Sequence, residues 1–434
     1  YLWKVYLMKL IKDSIMHNPF IQQPKTTLSI EKLKDQLVLS QEGFGDVSVV
    51  HALIDYPKWQ KDVNIFQYVK QRAQSKLRKD PKCFFFFDAS TEGFSTIHDA
   101  PFFDVLYYSC KQARIDPEKI IFFSSNMYDN DNIIRYNMEH GIERSIKVVT
   151  FNNFESMIFG IAGAMKPGNA IGQQIEKKPI ELILQERLEE EIEQTKKRYT
   201  GKSFLSLSRV NRPHRTLSAY EIFHSDLYNH GLVSHNRFDK KTIKHMESYL
   251  LPIGSNISRS NLKTWNKNIL PLTVDTEDFI TNHALSLNSY LHQQTLFQVV
   301  NETFAENWNG TSLFWSEKTF RSIYHLQPFV IFGQHQCNQK LQDYGYKLYT
   351  ELFDYSFDDE RDTYKRWTKL KAQITRQVDH LQQLDPKKAI NWKFRFADIS
   401  VHNLKTMIQE KHTKNVMFDL VKYLKEKKNE ETNT

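Results

Sequence analysis

Glu317 and Lys318 are neighbours of opposite charge near the head of the stretch TSLFWSEKTFRSIYHLQPFVIFG, residues 311–333. Ser316 is the kind of residue that caps a helix, Phe320, Ile323 and Leu326 recur as an apolar stripe, and Pro328 ends the helix ahead of the apolar run at 329–333. The spacing predicts a helix running into a buried strand, with an acid and a base at its mouth. A carboxylate there can accept from both hydroxyls of a ribose, and an ammonium beside it can pair with phosphate at a helix N-terminus. The competing reading of a lone Glu-Lys dipeptide is a solvated ion pair in a first helical turn.

Both halves of the chain carry the elements that would position such a site. The run KCFFFFD at 82–88 reads as a buried parallel strand entering a loop that holds Glu92 and Gly93. A helix over 103–113 follows, then a strand over 119–123 opening into Ser124, Ser125 and Asn126, and a strand over 145–150. Strands and helices alternating in this way predict an α/β fold with parallel sheets and ligands at the strands' carboxyl ends. Residues 181–198 place acids before bases and read as a helix matched to its own dipole that bridges two domains. A second α/β unit begins at Phe204, with a strand over 232–234 and another over 296–300 that delivers Asn301, Glu302 and Thr303 to the same edge as Glu317. A long helix over 358–384 is stopped by Asp385 and Pro386, and two more helices, 399–412 and 416–427, precede a charged tail. The expected organisation is an N-terminal domain with its linker helix at 1–198, a C-terminal domain at 199–385 and returning helices at 386–434.

Composition bounds the class. A chain of 434 residues with 40% hydrophobic and 13% aromatic content can bury two cores of ordinary size. No uncharged apolar stretch of about 18 residues occurs, so no membrane span is expected. The apolar opening is broken by Lys4 and Lys9 and leads to no small-residue cleavage site, which argues against a secretory signal, although the chain opens on Tyr rather than Met. Cys83, Cys110 and Cys337 are too few and too scattered for a disulfide framework or a zinc site, so a reducing cytoplasm is the expected location and the sequons at Asn256, Asn301 and Asn309 carry no weight. The net charge of +8 favours polyanionic partners, and residues 196–215 hold seven Lys or Arg and no acid, the footprint of a phosphate-bearing ligand.

Taken together, residues 200–385 resemble the C-terminal domain of GT-B fold glycosyltransferases of the phage and giant-virus type, with a donor motif similar to that of the fucosyltransferase family. The resemblance rests on Glu317-Lys318, on FLSLSRVNRPHR at 204–215, on LQDYGY at 341–346, and on the acidic run Phe353-Asp354-Tyr355-Ser356-Phe357-Asp358 with Arg361. Tyr355 stands where that run ordinarily carries Glu. The resemblance implies two Rossmann-like domains facing across a cleft, C-terminal helices returning to the N-terminal domain, and transfer of a sugar from a nucleotide-sugar to an acceptor hydroxyl. Glu317 would bind the ribose and Lys318 the diphosphate, joined by Ser316, Glu302 and Thr303. Arg209, Arg212 and Arg215, three residues apart around a strand-to-helix turn, would clamp the diphosphate as it leaves. No cofactor is implied, and a divalent metal is not expected because basic side chains replace it.

In the acceptor half, Asp88 and Glu92 follow the four-Phe strand and are the candidate catalytic carboxylates, able to deprotonate an acceptor hydroxyl. The alternative is that Asp88 caps a loop or helix. His98 and His214 are further candidates for the base. Asp129-Asn130-Asp131 matches the D-x-D pattern by which another glycosyltransferase class holds a metal. Trp265, Trp308, Trp315 and Trp367 suit either sugar stacking or core packing. The acceptor is left open among glycan, protein and modified DNA. Two alternatives stand beside this reading: a glycosyltransferase of hydroxylated DNA bases, favoured by the basic balance, and a non-catalytic GT-B-like virion or binding protein, allowed by Tyr355.

Overall fold

The computed structural model describes residues 38–44, 47–53, 64–90, 93, 95–96, 101–152, 154–155, 178–208, 210–240, 242–244, 246, 257–274, 290–306, 310–409 and 411–430. They form two compact units, one built from Tyr1–Gly160, Trp308–Phe314 and Lys411–Thr434, the other from Ile161–Asn307 and Trp315–Glu410. Among the described residues no helix is long and apolar enough to cross a membrane.

The first unit holds a five-stranded sheet, β1 (Val38–Phe44), β2 (Val47–Leu53), β3 (Cys83–Ala89), β4 (Ile120–Ser124) and β5 (Lys147–Thr150), lying side by side in chain order. β1 is antiparallel to β2 and the rest are parallel. With strands in chain order, each right-handed crossover lays its helix on the same face of the sheet. That face carries Phe85, Phe87, Phe122 and Val148, packed against Leu77, Phe103, Leu106 and Ile133 of the helices Gln71–Lys79, Phe102–Ala113 and Asp129–His140. The opposite face, Phe84, Phe86, Ile121, Phe123 and Val149, would be left to water by this winding. Leu420 and Leu424 of the chain's last helix, Lys411–Glu430, cover it. Tyr423 donates to the Glu118 carbonyl at 3.0 Å, and Lys427 pairs with the Glu118 carboxylate at 3.2 Å. The run of four Phe is thus explained: a strand buried on both faces has no polar side to alternate with.

In the second unit β6 (Lys202–Ser208), β7 (Gly231–His235), β8 (Thr295–Asn301) and β9 (Phe329–Phe332) are all parallel, in the order β7-β6-β8-β9. The chain leaves β6 outward to β7, then returns past it to β8. This reversal makes the carboxyl ends of β6 and β8 a topological switch point, the place where open α/β sheets bind ligands.

Several expected boundaries move. The helix Ile180–Arg198 belongs to the second unit: Gln293 donates to Glu191 at 2.9 Å and the Arg187 guanidinium lies 4.8 Å over the Tyr324 ring. The helices Pro386–Phe394 and Ala397–Gln409 also stay in that unit, so the tail divides within its length. Asp385 and Pro386 start a helix rather than merely ending one, because Asp385 accepts from Lys388 N at 2.9 Å and Pro386 takes the first-turn position that needs no N–H. The donor-motif helix closes at Tyr324, leaving Leu326 beyond it at φ 50° but still buried.

Candidate ligand-binding site

Ser316 caps the helix Glu317–Tyr324, accepting from Lys318 N at 3.4 Å, while Phe320 and Ile323 bury the inner face. What holds this helix start is Glu302, the first residue past β8, whose side chain is fully buried. Its carboxylate accepts from Ser316 N at 3.1 Å, Ser316 Oγ at 2.6 Å, Thr319 Oγ1 at 2.5 Å and Thr303 N at 2.9 Å. A buried carboxylate is costly unless its lone pairs are filled, and here hydroxyls, backbone N–H groups and the helix dipole fill them. Glu302, read from the sequence as a ligand contact, is therefore an anchor that sets the position of Ser316 and the two residues after it.

Lys318 Nζ donates to Glu317 Oε1 at 2.6 Å and to Ser316 Oγ at 3.3 Å. Both ends of the pair remain reachable, with side chains 12% exposed for Glu317 and 22% for Lys318. Burial works to raise the Glu317 pKa, but Lys318 and Arg215 outweigh it and hold the carboxyl below its usual range. Burial lowers Lys318, Arg215 adds to this, and Glu317 and Glu302 oppose both.

The helix Pro213–Phe223 brings the basic residues to the same place. Arg215 is buried and donates through Nε to the Glu302 carbonyl at 2.9 Å and through Nη1 to the Val210 carbonyl at 3.2 Å, with Nη2 3.5 Å from Thr303 Oγ1. Burial, with Arg212 beside it, pushes its pKa down to about 10, still charged at neutral pH, while Glu302, Glu317 and Glu306 pull the other way. Arg212 is half-buried, its guanidinium 4.7 Å over the Phe304 ring. His214 donates from Nε2 to the Glu302 carbonyl at 2.9 Å, and burial keeps the ring neutral, with its pKa well below the usual histidine value. The structure thus brings Arg212, Arg215, Glu302, Thr303, Ser316, Glu317 and Lys318 to the carboxyl ends of β6 and β8. Phe304 and Glu306, which the sequence did not single out, join them because they follow β8 directly. Arg209 lies outside the described residues.

The acidic run after β9 is structural. Asp358 accepts from Asn338 N at 2.8 Å, Gln339 N at 3.0 Å and Asn338 Nδ2 at 2.9 Å, capping the helix Cys337–Asp343, and burial raises its pKa to about 6. Tyr355 accepts from Tyr349 N through its hydroxyl at 3.2 Å. Trp265, Trp315 and Trp367 are buried core residues, and all three cysteines are buried and free. Asn301 is buried too, donating to Ser206 Oγ at 2.9 Å and accepting from Ser218 at 2.9 Å.

In the first unit Asp88 stands at the carboxyl end of β3, in register with Phe123 of β4. Glu92, His98 and Trp308 lie outside the described residues. The D-x-D pattern is pulled apart: Asp129 is fully buried while Asp131 is exposed on the same helix, since residues two apart do not share a helix face. Asp129 accepts from Thr96, Ser124, Asn126 and Asn132 at 2.6–2.8 Å, and burial raises its pKa to about 7. Among the described residues no group of three or more His, Cys, Asp or Glu is placed to hold a metal ion.

Compared with known proteins, the chain matches no protein-family model, no curated protein and no solved structure.

Proposed function

We propose that this protein is a glycosyltransferase of GT-B type that takes a sugar from a nucleotide-sugar, with the donor held by the second unit. The observation that carries this reading is the gathering of Glu317, Lys318, Arg212 and Arg215 at the switch point of a parallel sheet, with the acid–base pair in the first turn of a helix. Glu317 is a reachable carboxylate suited to two ribose hydroxyls, and Lys318 is an ammonium beside a helix N-terminus suited to phosphate. Arg215 is fixed by carbonyls that leave its charge in place, so with Arg212 and Lys318 it would offset the charge that develops on a departing diphosphate. Basic side chains supply that charge here, so the transfer proceeds without a divalent ion. The return of the last helix to the first unit also agrees with what a GT-B resemblance leads one to expect.

The acceptor hydroxyl belongs to the first unit, with Asp88 at the carboxyl end of β3 as the proton acceptor. Thermal unfolding of the protein with UDP, GDP, ADP and CDP tests the reading. A ligand at 100 times its Kd stabilises the folded state by about 2.7 kcal/mol, which is readable as a raised midpoint. One nucleotide should raise the midpoint and the others much less. Four flat responses with folded protein would remove the donor site and the activity with it.

A further inference from the structure

Between β7 and β8 of the second unit lies the helix Arg259–Asn268, which holds Arg259, Lys263 and Lys267 and no acid. Ser258 caps it, accepting from Asn261 N at 3.1 Å. Its two apolar side chains, Leu262 and Trp265, are buried. Trp265 packs against the rings of Tyr220 at 5.3 Å, Phe223 at 5.9 Å, His235 at 5.8 Å and Phe238 at 6.0 Å. The Asn266 amide holds the Phe238 backbone twice, accepting from its N at 3.0 Å and donating to its O at 2.8 Å. The inner face is thus occupied in fixing the helix to its own unit, and that fixes the outer face as well.

On that outer face Arg259, Lys263 and Lys267 recur every four residues and are all exposed, a row of cations about 6 Å apart along the helix axis. Ser260, Thr264 and Asn268, exposed in the same rhythm, set a row of neutral hydrogen-bonding groups beside it. Arg237 and Lys240, exposed on either side of Phe238, carry the charge onward. Asp239 between them is engaged in capping, accepting from Thr242 N at 2.7 Å and Thr242 Oγ1 at 2.8 Å. The Asn211 amide donates to the Arg237 carbonyl, which joins this surface to the loop that carries Arg212. A merely solvated helix face mixes both signs of charge, whereas this one carries a single sign. Cations interleaved with hydroxyl and amide groups are what the phosphate oxygens of a nucleic-acid backbone take. A lipid surface fits less well, because the helix's apolar side chains face inward and none is left to enter the bilayer. A single strand also fits less well, because the helix exposes no aromatic ring on which bases could stack.

We propose that the outer face of the helix Arg259–Asn268 is a docking surface for double-stranded DNA, holding the phosphate backbone without reading the bases. Duplex binding follows from the helix alone, and only its use, to bring a modified-DNA acceptor to the unit that holds the donor, rests on the proposed transferase reading. Fluorescence anisotropy of a short labelled DNA duplex, titrated with the full chain at salt from roughly 50 to 200 mM, tests it. The chain carrying Arg259→Ala, Lys263→Ala and Lys267→Ala together should lose about 2.7 from the slope of log K against log salt, about 0.9 for each phosphate contact. Its deficit against wild type is then roughly fortyfold larger at the low end of that salt range than at the high end. Lys196→Ala combined with Lys387→Ala, both exposed on other helices of the same unit, should leave the slope unchanged.

A wild-type chain that fails to bind the duplex at the lowest salt, a triple variant with the wild-type slope, or an equal loss from the control pair would each overturn the proposal. So would tighter binding of a single strand, of an RNA duplex or of vesicles containing phosphatidylserine than of the DNA duplex. Should the triple variant fail to fold, Lys263→Ala alone should lose about 0.9 from the slope, and an unchanged slope would again overturn the surface. Duplex binding by a protein whose midpoint none of UDP, GDP, ADP or CDP raises would leave the surface standing and remove the donor site. Nucleotide binding without duplex binding would remove the surface alone.

Discussion

Glu302→Gln separates an anchor from a ligand contact. The substitution keeps the side chain's shape but turns one oxygen into a donor. Oε2 takes Ser316 Oγ, Ser316 N and Thr303 N, while Oε1 takes Ser316 N and Thr319 Oγ1. If Oε2 becomes the amide nitrogen, Ser316 Oγ can rotate to accept, but the Thr303 N–H cannot, and an unpaired buried donor costs about 1–3 kcal/mol. Loss of the negative charge at the helix start adds about 0.3–1 kcal/mol. If Oε1 is replaced instead, the Thr319 hydroxyl can turn and the cost falls toward the lower end, so the amide takes that orientation and the expected loss is about 1–2 kcal/mol. For a unit of this size that lowers its melting midpoint by roughly 2–8 °C. Urea unfolding and a thermal scan measure it directly. A Glu302→Gln protein as stable as wild type that had nonetheless lost nucleotide binding would refute the anchor and return Glu302 to the ligand.

Acid should destabilise the second unit before the first. Burial depresses His235 to about 4 and His292 to about 3, and His214 and His325 are lowered as well, so between these values and 6.5 the unfolded chain binds more protons than the folded unit. The stability these neutral rings carry is full above pH 6.5 and falls with pH, by roughly 3 kcal/mol for His235 alone. In the first unit Asp129 is raised to about 7 and acts with the opposite sign, as Asp358 does more weakly in the second. Exchange mapped at pH 7 and pH 5 should show β8 losing protection ahead of β4, and the reverse order would contradict the burial argument. Leu424→Ala should cost the first unit about 2–5 kcal/mol by opening a cavity over Phe84 and Phe86, and a change under about 0.5 kcal/mol in urea unfolding would show that the last helix does not cover the sheet. Transfer activity, once a donor is found, should persist in EDTA, whereas complete loss rescued by manganese would point to a metal-held diphosphate.

The parts of this fold that were legible in the sequence are those set by local pattern. Four consecutive Phe read as a doubly buried strand, and Ser316 ahead of an apolar stripe read as a cap, because both signals lie within a few residues. Glu302 was visible as a carboxylate past a strand, but its partners at Ser316 and Thr319 stand 14 and 17 residues away, and no spacing rule joins them. Asp129 gave a metal-like pattern for a similar reason: the pattern is blind to Thr96 and Ser124, which consume the charge. Asp385 and Pro386 are ambiguous in principle, since the pair that breaks one helix also suits the first turn of another. The return of the last helix to the first unit leaves no local trace, since it is decided by which sheet face lacks a cover.

Calorimetric titration of Glu317→Gln and Lys318→Ala with a nucleoside and its diphosphate tests the central claim most directly, using the nucleotide selected by thermal shift. Glu317→Gln should weaken both ligands by roughly 1.5–3 kcal/mol, the worth of a hydrogen bond to a charged group. Lys318→Ala should weaken the diphosphate and leave the nucleoside nearly unchanged. Folded variants that bind both ligands as wild type does would contradict the account, leaving Glu317 and Lys318 as an ion pair at a helix start.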